Sequence, residues 1–160
     1  MTQKVFLRSK LLLLAFIAGF SFAMPLPSRG LPRLTPLEQQ WLDVIAYTEG
    51  TDLSSPRSGY NVYLGDRPAQ GSIRSLVSHP GGAAAGRYQF IPKTWKWISD
   101  EINLRDFSPY SQDLAALELI RRRGIDPQRD PITRKNIAIL APEWASFPTL
   151  EGKSYYGQRV

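Results

Sequence analysis

The chain has 160 residues, 42% of them hydrophobic and 21% charged, with a formal charge of +6, no cysteine and a single histidine, His79. That is enough for one domain with a real core, and seven Tyr, seven Phe and four Trp argue against disorder. The missing cysteines exclude a disulfide framework and thiolate chemistry, and one histidine cannot join others in a metal site; no metal and no cofactor are expected.

The first 23 residues read as a secretory signal: Lys4, Arg8 and Lys10, then an apolar run from Leu11 to Ala18, then Ser21 and Ala23 as small residues before a cut. An uncleaved signal anchor is the alternative, although the run is shorter than the roughly 20 apolar residues a spanning helix needs. Either way the rest of the chain is exported, to the periplasm or the extracellular space, and touches a membrane only through this segment. Without residues 1–23 the charge falls to +3, from seventeen basic and fourteen acidic residues. That balance suits a mildly anionic polymer, and no Lys/Arg tract is dense enough to track nucleic acid. Residues 24–34, rich in Pro, Gly, Ser and Arg, form a flexible leader.

The domain is expected over residues 35–160. Thr35 can cap a helix with Pro36 at its first position and Glu38 reaching back, and Leu37, Trp41, Val44, Ile45 and Thr48 follow at helical spacing up to Gly50. Gly59 to Asp66 carries β-forming residues and a Gly-Asp turn, which predicts a short hairpin or small sheet. A loop with Pro80, Gly81 and Gly82 leads into Gly86-Arg87-Tyr88-Gln89-Phe90 and a helix through Thr94, Trp95, Trp97 and Ile98. Ser108-Pro109 opens the next helix, which ends at Gly124 after Arg121, Arg122 and Arg123, cations that complement its negative end. Asp130-Pro131 is expected to open another, which Pro142 interrupts before a short turn over Glu143 to Phe147. The architecture is α+β, mainly helical with one small β element. Phe90, Trp95, Trp97 and Phe147 are assigned to the core.

Glu49 has a reason to be a proton donor. A helix C-terminus disfavours a carboxylate, and the neighbours Tyr47 and Trp41 suggest partial desolvation, so both effects raise its pKa. A solvated residue is nevertheless the commoner fate of any single Glu. Asp43, Asp100, Glu101, Glu118, Asp126 and Glu143 read as polar-face residues, and Asp106 and Asp130 as turn or cap residues. Asp52 and Asp66 are the acids placed to serve as a second carboxylate. Tyr60, Tyr88, Gln89, Tyr155, Tyr156 and Gln158 supply the mixture of planar faces and amides that sugars require. Phosphate loops, nucleophile elbows and the His-Glu-x-x-His pattern are missing.

Six short strings occur in order: Thr48-Glu49-Gly50-Thr51, Gly59-Tyr60-Asn61-Val62, Gly86-Arg87-Tyr88-Gln89, Asp106-Phe107-Ser108-Pro109 with Ser111-Gln112-Asp113, Trp144-Ala145-Ser146 and Tyr156-Gly157-Gln158. Together they resemble the lambda-type family of phage endolysins, over the span from Thr35 to Gln158. The resemblance implies a lysozyme-like fold, peptidoglycan glycan strands as partner, a monomer, and cleavage of the β-1,4 bond between N-acetylmuramic acid and N-acetylglucosamine. It further implies lytic transglycosylation, in which the sugar's own 6-hydroxyl closes on the anomeric carbon and one carboxyl handles both proton transfers. Glu49 is then the acid/base, with Thr51, Tyr60, Tyr88, Gln89, Tyr156 and Gln158 in or near the glycan groove. A hydrolase using Asp52 or Asp66, and a wall-binding module without catalysis, are the rival readings. The chain departs from the pattern at Asn61, where the lambda sequence has Asp, in a shorter loop before Gly86, and in ending at Val160. The last departure implies a domain lacking the family's C-terminal helix.

Overall fold

The computed structural model describes residues 33–52, 58–63 and 78–157. The signal segment, most of the leader, Asp66 and Gln158 lie outside the described residues. Helix α1 spans Pro36–Thr48, α2 Pro92–Glu101, α3 Pro109–Arg122 and α4 Arg134–Leu140.

The start of α1 follows from its first four residues. The Glu38 amide donates to Thr35 Oγ1 at 3.2 Å, and the Thr35 amide donates to Glu38 Oε2 at 2.8 Å, so two otherwise unpaired donors are satisfied reciprocally. Trp41, Leu42, Ile45 and Ala46 then occupy one face and are fully buried. They meet Ala115, Ala116, Leu119 and Ile120 of α3 in a single core with Ile98, Phe107, Leu140, Trp144 and Phe147. Phe107 packs edge-on against Trp95 with ring centroids 4.5 Å apart, which locks α2 to the entry of α3.

The three arginines at the end of α3 do more than complement its dipole. Arg121 reaches Glu38 of α1 at 3.3 Å, Arg122 reaches Glu101 of α2 at 3.0 Å, and Arg123 reaches Glu143 at 2.6 Å. One helix end thus ties down three neighbours. Arg122 also lies 4.9 Å from the centroid of the Trp97 ring. That contact corrects the assignment of Trp97 to the core: it is 44% exposed and works as a platform for a cation.

One further expectation is corrected. The helix expected at Asp130-Pro131 begins at Arg134, because Asp130 is consumed by a turn. Its Oδ2 accepts from the Asp126 amide at 2.7 Å and its carbonyl accepts from the Trp41 indole at 3.1 Å, while Thr133 is the residue that caps α4. The small β element is present among the described residues as antiparallel bridges, Tyr63 with Ala85, Ala85 with Phe90 and, farther along, Pro148 with Ser154, while residues 64–66 of the expected stretch lie outside them. Tyr63 therefore finds its partner in the segment before α2, a long-range pairing that a local hairpin motif does not signal.

Candidate active site

Glu49 is the C-cap of α1. Its amide closes the last helical turn on the Ile45 carbonyl at 2.9 Å, and Gly50 follows at φ 69°, the left-handed conformation that turns the chain off the axis. Thr51 is brought straight back inside. Its amide bonds to the Ala46 carbonyl, and its hydroxyl lies 3.1 Å from that same carbonyl and 2.6 Å from the Arg87 carbonyl. The helix end is thus stitched to the turn over Gly86 to Phe90.

The second wall comes from the chain after α4. Trp144 is buried and its indole donates to the Tyr88 carbonyl at 3.1 Å, which hooks the Pro142 to Phe147 segment onto the same turn. This delivers Ser146, whose hydroxyl donates to Glu49 Oε1 at 2.6 Å and lies 3.2 Å from Thr48 Oγ1. Burial pushes the Glu49 carboxyl above the ordinary glutamate range, and the Ser146 hydrogen bond pulls the other way without cancelling it. The desolvation expected from Tyr47 is corrected, since Tyr47 is 78% exposed; Trp41 is in the core.

Arg87 is the centre of the arrangement and carried no assignment in the sequence reading. Its side chain is fully buried, and it donates to Asp43 Oδ1 at 2.9 Å, to Asp52 Oδ1 at 3.2 Å and to the Ser58 carbonyl. Its guanidinium also lies 5.5 Å from the Tyr60 ring centroid. Asp43 is therefore no plain polar-face residue, and Asp52 is committed to a cation. Gln112, fully buried on α3, accepts from the Arg87 amide at 2.9 Å and donates to the carbonyls of Tyr60 at 3.1 Å and Phe107 at 2.9 Å. Beside it, Asp113 Oδ1 accepts from the hydroxyls of both Tyr60, at 2.8 Å, and Tyr88, at 2.6 Å. Burial, then the Asp113 charge, raises both phenols well above their ordinary range, so each stays a neutral donor.

The expected site residues therefore separate. Tyr60 is half-buried, with its hydroxyl spent on Asp113 and its ring at the edge of Tyr88. Gln89, held at φ 47°, folds its side-chain amide back to the Gly86 carbonyl at 2.9 Å. Tyr88 and Thr51 are buried and support the turn and the helix end from within. Tyr156 is 57% exposed and its hydroxyl donates to the Pro142 carbonyl at 2.7 Å, anchoring it to the segment that carries Ser146. A cavity of about 150 Å³ lined by Ser78, His79, Trp95, Ser99, Leu104, Arg105 and Asp106 shares no residue with this cluster.

The family model described as Endolysin matches residues 39–160. The chain belongs to the Endolysin family. It is similar to the endolysin of Escherichia phage lambda, 34% identical over 120 residues covering 68% of this chain and 75% of that protein. It is also similar to the endolysin of Escherichia phage P2, 34% identical over 139 residues covering 74% and 81%. Among solved structures it resembles bacteriophage lambda lysozyme in complex with a chitohexasaccharide, with a TM-score of 0.66 and 29% identity, covering 80% of this chain and 87% of that one. A second structure of lysozyme from bacteriophage lambda gives a TM-score of 0.64 at 27% identity, covering 76% and 85%. The mainly helical, lysozyme-like α+β fold is thereby established, and this endolysin is a glycosidase-type, peptidoglycan-degrading enzyme.

Proposed function

We propose that the protein is a muramidase that cleaves the β-1,4 bond between N-acetylmuramic acid and N-acetylglucosamine by lytic transglycosylation, with Glu49 as its single acid/base. The observation that carries this reading is the state of the carboxyls. Burial raises the Glu49 carboxyl above its ordinary value and one neutral hydroxyl engages it, whereas Asp43 and Asp52 each give an oxygen to the buried Arg87 guanidinium. Burial favours the proton-donor form, and among the described residues Asp43 and Asp52 are occupied as counter-ions to Arg87; Asp66 lies outside them. A hydrolase of the inverting or retaining kind calls on a second carboxylate as base or nucleophile; an intramolecular hydroxyl removes that need.

In the first step Glu49 gives its proton to the glycosidic oxygen as the bond from that oxygen to the anomeric carbon breaks. The 6-hydroxyl oxygen of the muramic acid unit then bonds to the anomeric carbon and returns its proton to the Glu49 carboxylate. The products are a 1,6-anhydro end and a free 4-hydroxyl, with no water consumed. Tyr60, Gln89 and Tyr156 are assigned to the glycan groove, and Gln158, outside the described residues, is assigned there on its sequence motif alone. The chitohexasaccharide bound by the lambda lysozyme supports a polysaccharide in that place. Residues 1–23 export the enzyme to the wall.

Digestion of purified peptidoglycan followed by mass spectrometry tests the reading. Fragments one water lighter than reducing-end products are expected, with none after Glu49→Gln. Reducing ends would assign a hydrolase instead, and cleavage surviving in Glu49→Gln would remove Glu49 from the chemistry.

A further inference from the structure

The carboxyl of Glu49 does not end its hydrogen bonding at Ser146. Ser146 Oγ lies 2.6 Å from Glu49 Oε1 and 3.2 Å from Thr48 Oγ1, and Thr48 Oγ1 in turn donates to the carbonyls of Val44 at 3.1 Å and Ile45 at 3.0 Å. A hydroxyl carries one hydrogen and two lone pairs. Thr48 spends its hydrogen on α1 carbonyls, which can only accept, so its oxygen faces Ser146 as a fixed acceptor. Ser146 is then the one free rotor between a fixed acceptor and a carboxyl oxygen whose character changes with its proton.

We infer that the Ser146 and Thr48 hydroxyls form a two-position relay that matches Glu49 in both halves of the reaction. With Glu49 protonated on Oε2, the oxygen left for the substrate, Oε1 is only a carbonyl-type acceptor and the Ser146 hydrogen is drawn to Thr48 Oγ1. With Glu49 ionised, the Ser146 hydrogen swings to Oε1 and stabilises the carboxylate. The relay is closed at its far end, because a main-chain carbonyl cannot take the Thr48 proton; it stores polarity and leaks no proton. It also leaves Oε2 clear for the substrate. Ser146 and Thr48 are thus positioning residues, and this inference rests on the reading of Glu49 as the acid/base.

Burial and Ser146 are the two influences on this carboxyl. The charged groups on the elements that carry and flank it are paired elsewhere: Asp43 and Asp52 share Arg87, Glu38 faces Arg121, and Glu143 faces Arg123. Removing either hydroxyl therefore acts on Glu49 with little competition, and in opposite senses. Ser146→Ala deletes the donor to the carboxylate, so the protonated form is favoured and the pH at which activity falls off on the basic side moves up. Thr48→Val deletes the acceptor used when Glu49 is protonated, so the ionised form is favoured and the basic limb moves down.

The experiment measures kcat/KM against pH on purified peptidoglycan, and titrates the Glu49 carboxyl by carbon-13 NMR, for the wild type, Ser146→Ala, Thr48→Val and Thr48→Ser. Opposite displacement of the basic limb in the first two variants is expected, with kcat down about tenfold in Ser146→Ala from the lost charge-assisted bond, and a wild-type limb in Thr48→Ser. Displacement in one common direction, or none, with Glu49→Gln inactive, overturns the relay and leaves the acid/base reading standing. Cleavage that survives Glu49→Gln sinks the acid/base reading instead, and the NMR titration still decides whether the two hydroxyls tune the carboxyl. A variant that loses structure is recognised by its unfolding curve, and Thr48→Ser against Thr48→Val then carries the comparison at nearly constant shape.

Discussion

The guanidinium of Arg87 donates to Asp43 Oδ1 at 2.9 Å with the arginine side chain fully buried and the aspartate 44% exposed. The two ends of this ion pair therefore differ in what their loss costs. Asp43→Asn keeps a partly solvated amide next to a cation still held by Asp52 and the Ser58 carbonyl. About 1 kcal/mol of stability should go. Arg87→Met withdraws the donor that, among the described residues, joins α1, the segment after Glu49 and Ser58, and should cost about 3 kcal/mol. Arg87→Lys is expected to fall nearer to the Met variant than to the wild type, because one ammonium cannot span two carboxylates and a carbonyl. Urea denaturation midpoints rank the three variants, and equal losses in Asp43→Asn and Arg87→Met would refute the asymmetry.

Glu49 should destabilise the fold at neutral pH. Burial raises its folded-state pKa above the ordinary value of 4.5 that it has when unfolded. Stability from this group is thus complete below 4.5 and is lost as pH rises through the raised folded value. Glu49→Gln removes the ionisation and keeps an oxygen to accept from Ser146. The variant is expected to be more stable than the wild type at pH 7, on the order of 1 kcal/mol, as at other sites where function opposes stability. The two proteins should converge below pH 4.5. Parallel thermal unfolding from pH 4 to pH 8 measures the difference, and a gap that does not close on acidification contradicts the burial argument.

The parts that local chemistry dictates were legible in the sequence. The Thr35 to Glu38 box, Ser108-Pro109 and the apolar spacing of Trp41, Leu42 and Ile45 all act within one helical turn or along one face, and they place α1, α3 and Glu49 correctly. What stayed hidden depends on contacts between distant segments. Arg87 becomes central only when Asp43 and Asp52 arrive from 44 and 35 residues away, and Ser146 meets Glu49 across 97. Tyr88 and Tyr60 looked alike as sugar platforms, yet one is inside and the other half-buried, because the same Asp113 oxygen draws both hydroxyls. Helix existence was read more safely than helix start at α4. Asp130 has the composition of a cap, and only the tertiary bond from Trp41 and the turn from Asp126 divert it.

Gly86 couples the site to the core. It adopts φ 80°, and a Cβ there would run into the Gln112 side-chain carbonyl and the tip of the Phe107 ring. Both neighbours are fixed: Gln112 bonds to the Arg87 amide and to the Tyr60 and Phe107 carbonyls, and Phe107 is buried against Trp95. Gly86→Ala therefore faces backbone strain and displacement of a buried amide together, about 2 to 4 kcal/mol in all. Activity per folded molecule should fall as well, because the same amide supports Arg87 and Tyr60. Gln112→Ala in the Gly86→Ala background makes room for the methyl group and should recover part of the stability without recovering activity. A double variant no more stable than Gly86→Ala alone would show that backbone strain, and not the clash with Gln112, sets the cost.

Glu38 gives the opposite pH behaviour from Glu49. Burial on its own would raise its carboxyl, but hydrogen bonds from the Thr35 amide, Gln128 and the Thr35 side chain, with the Arg121 charge, bring it below the ordinary value of 4.5. A depressed folded-state pKa contributes stability that is present above 4.5 and is lost as pH falls through the lowered value. The residue holds the first turn of α1 to the end of α3, through Arg121 at 3.3 Å, and to the following loop, through Gln128 at 2.9 Å. Glu38→Gln keeps an acceptor for the Thr35 amide and loses the charge, so it should cost about 1 to 2 kcal/mol at pH 7. The cost should shrink toward zero as the wild type itself is protonated in acid. Unfolding of the wild type, Glu38→Gln and Glu49→Gln across one pH series separates the two carboxyls. Acidification should narrow the gap of both variants to the wild type, with Glu38→Gln approaching from below and Glu49→Gln from above.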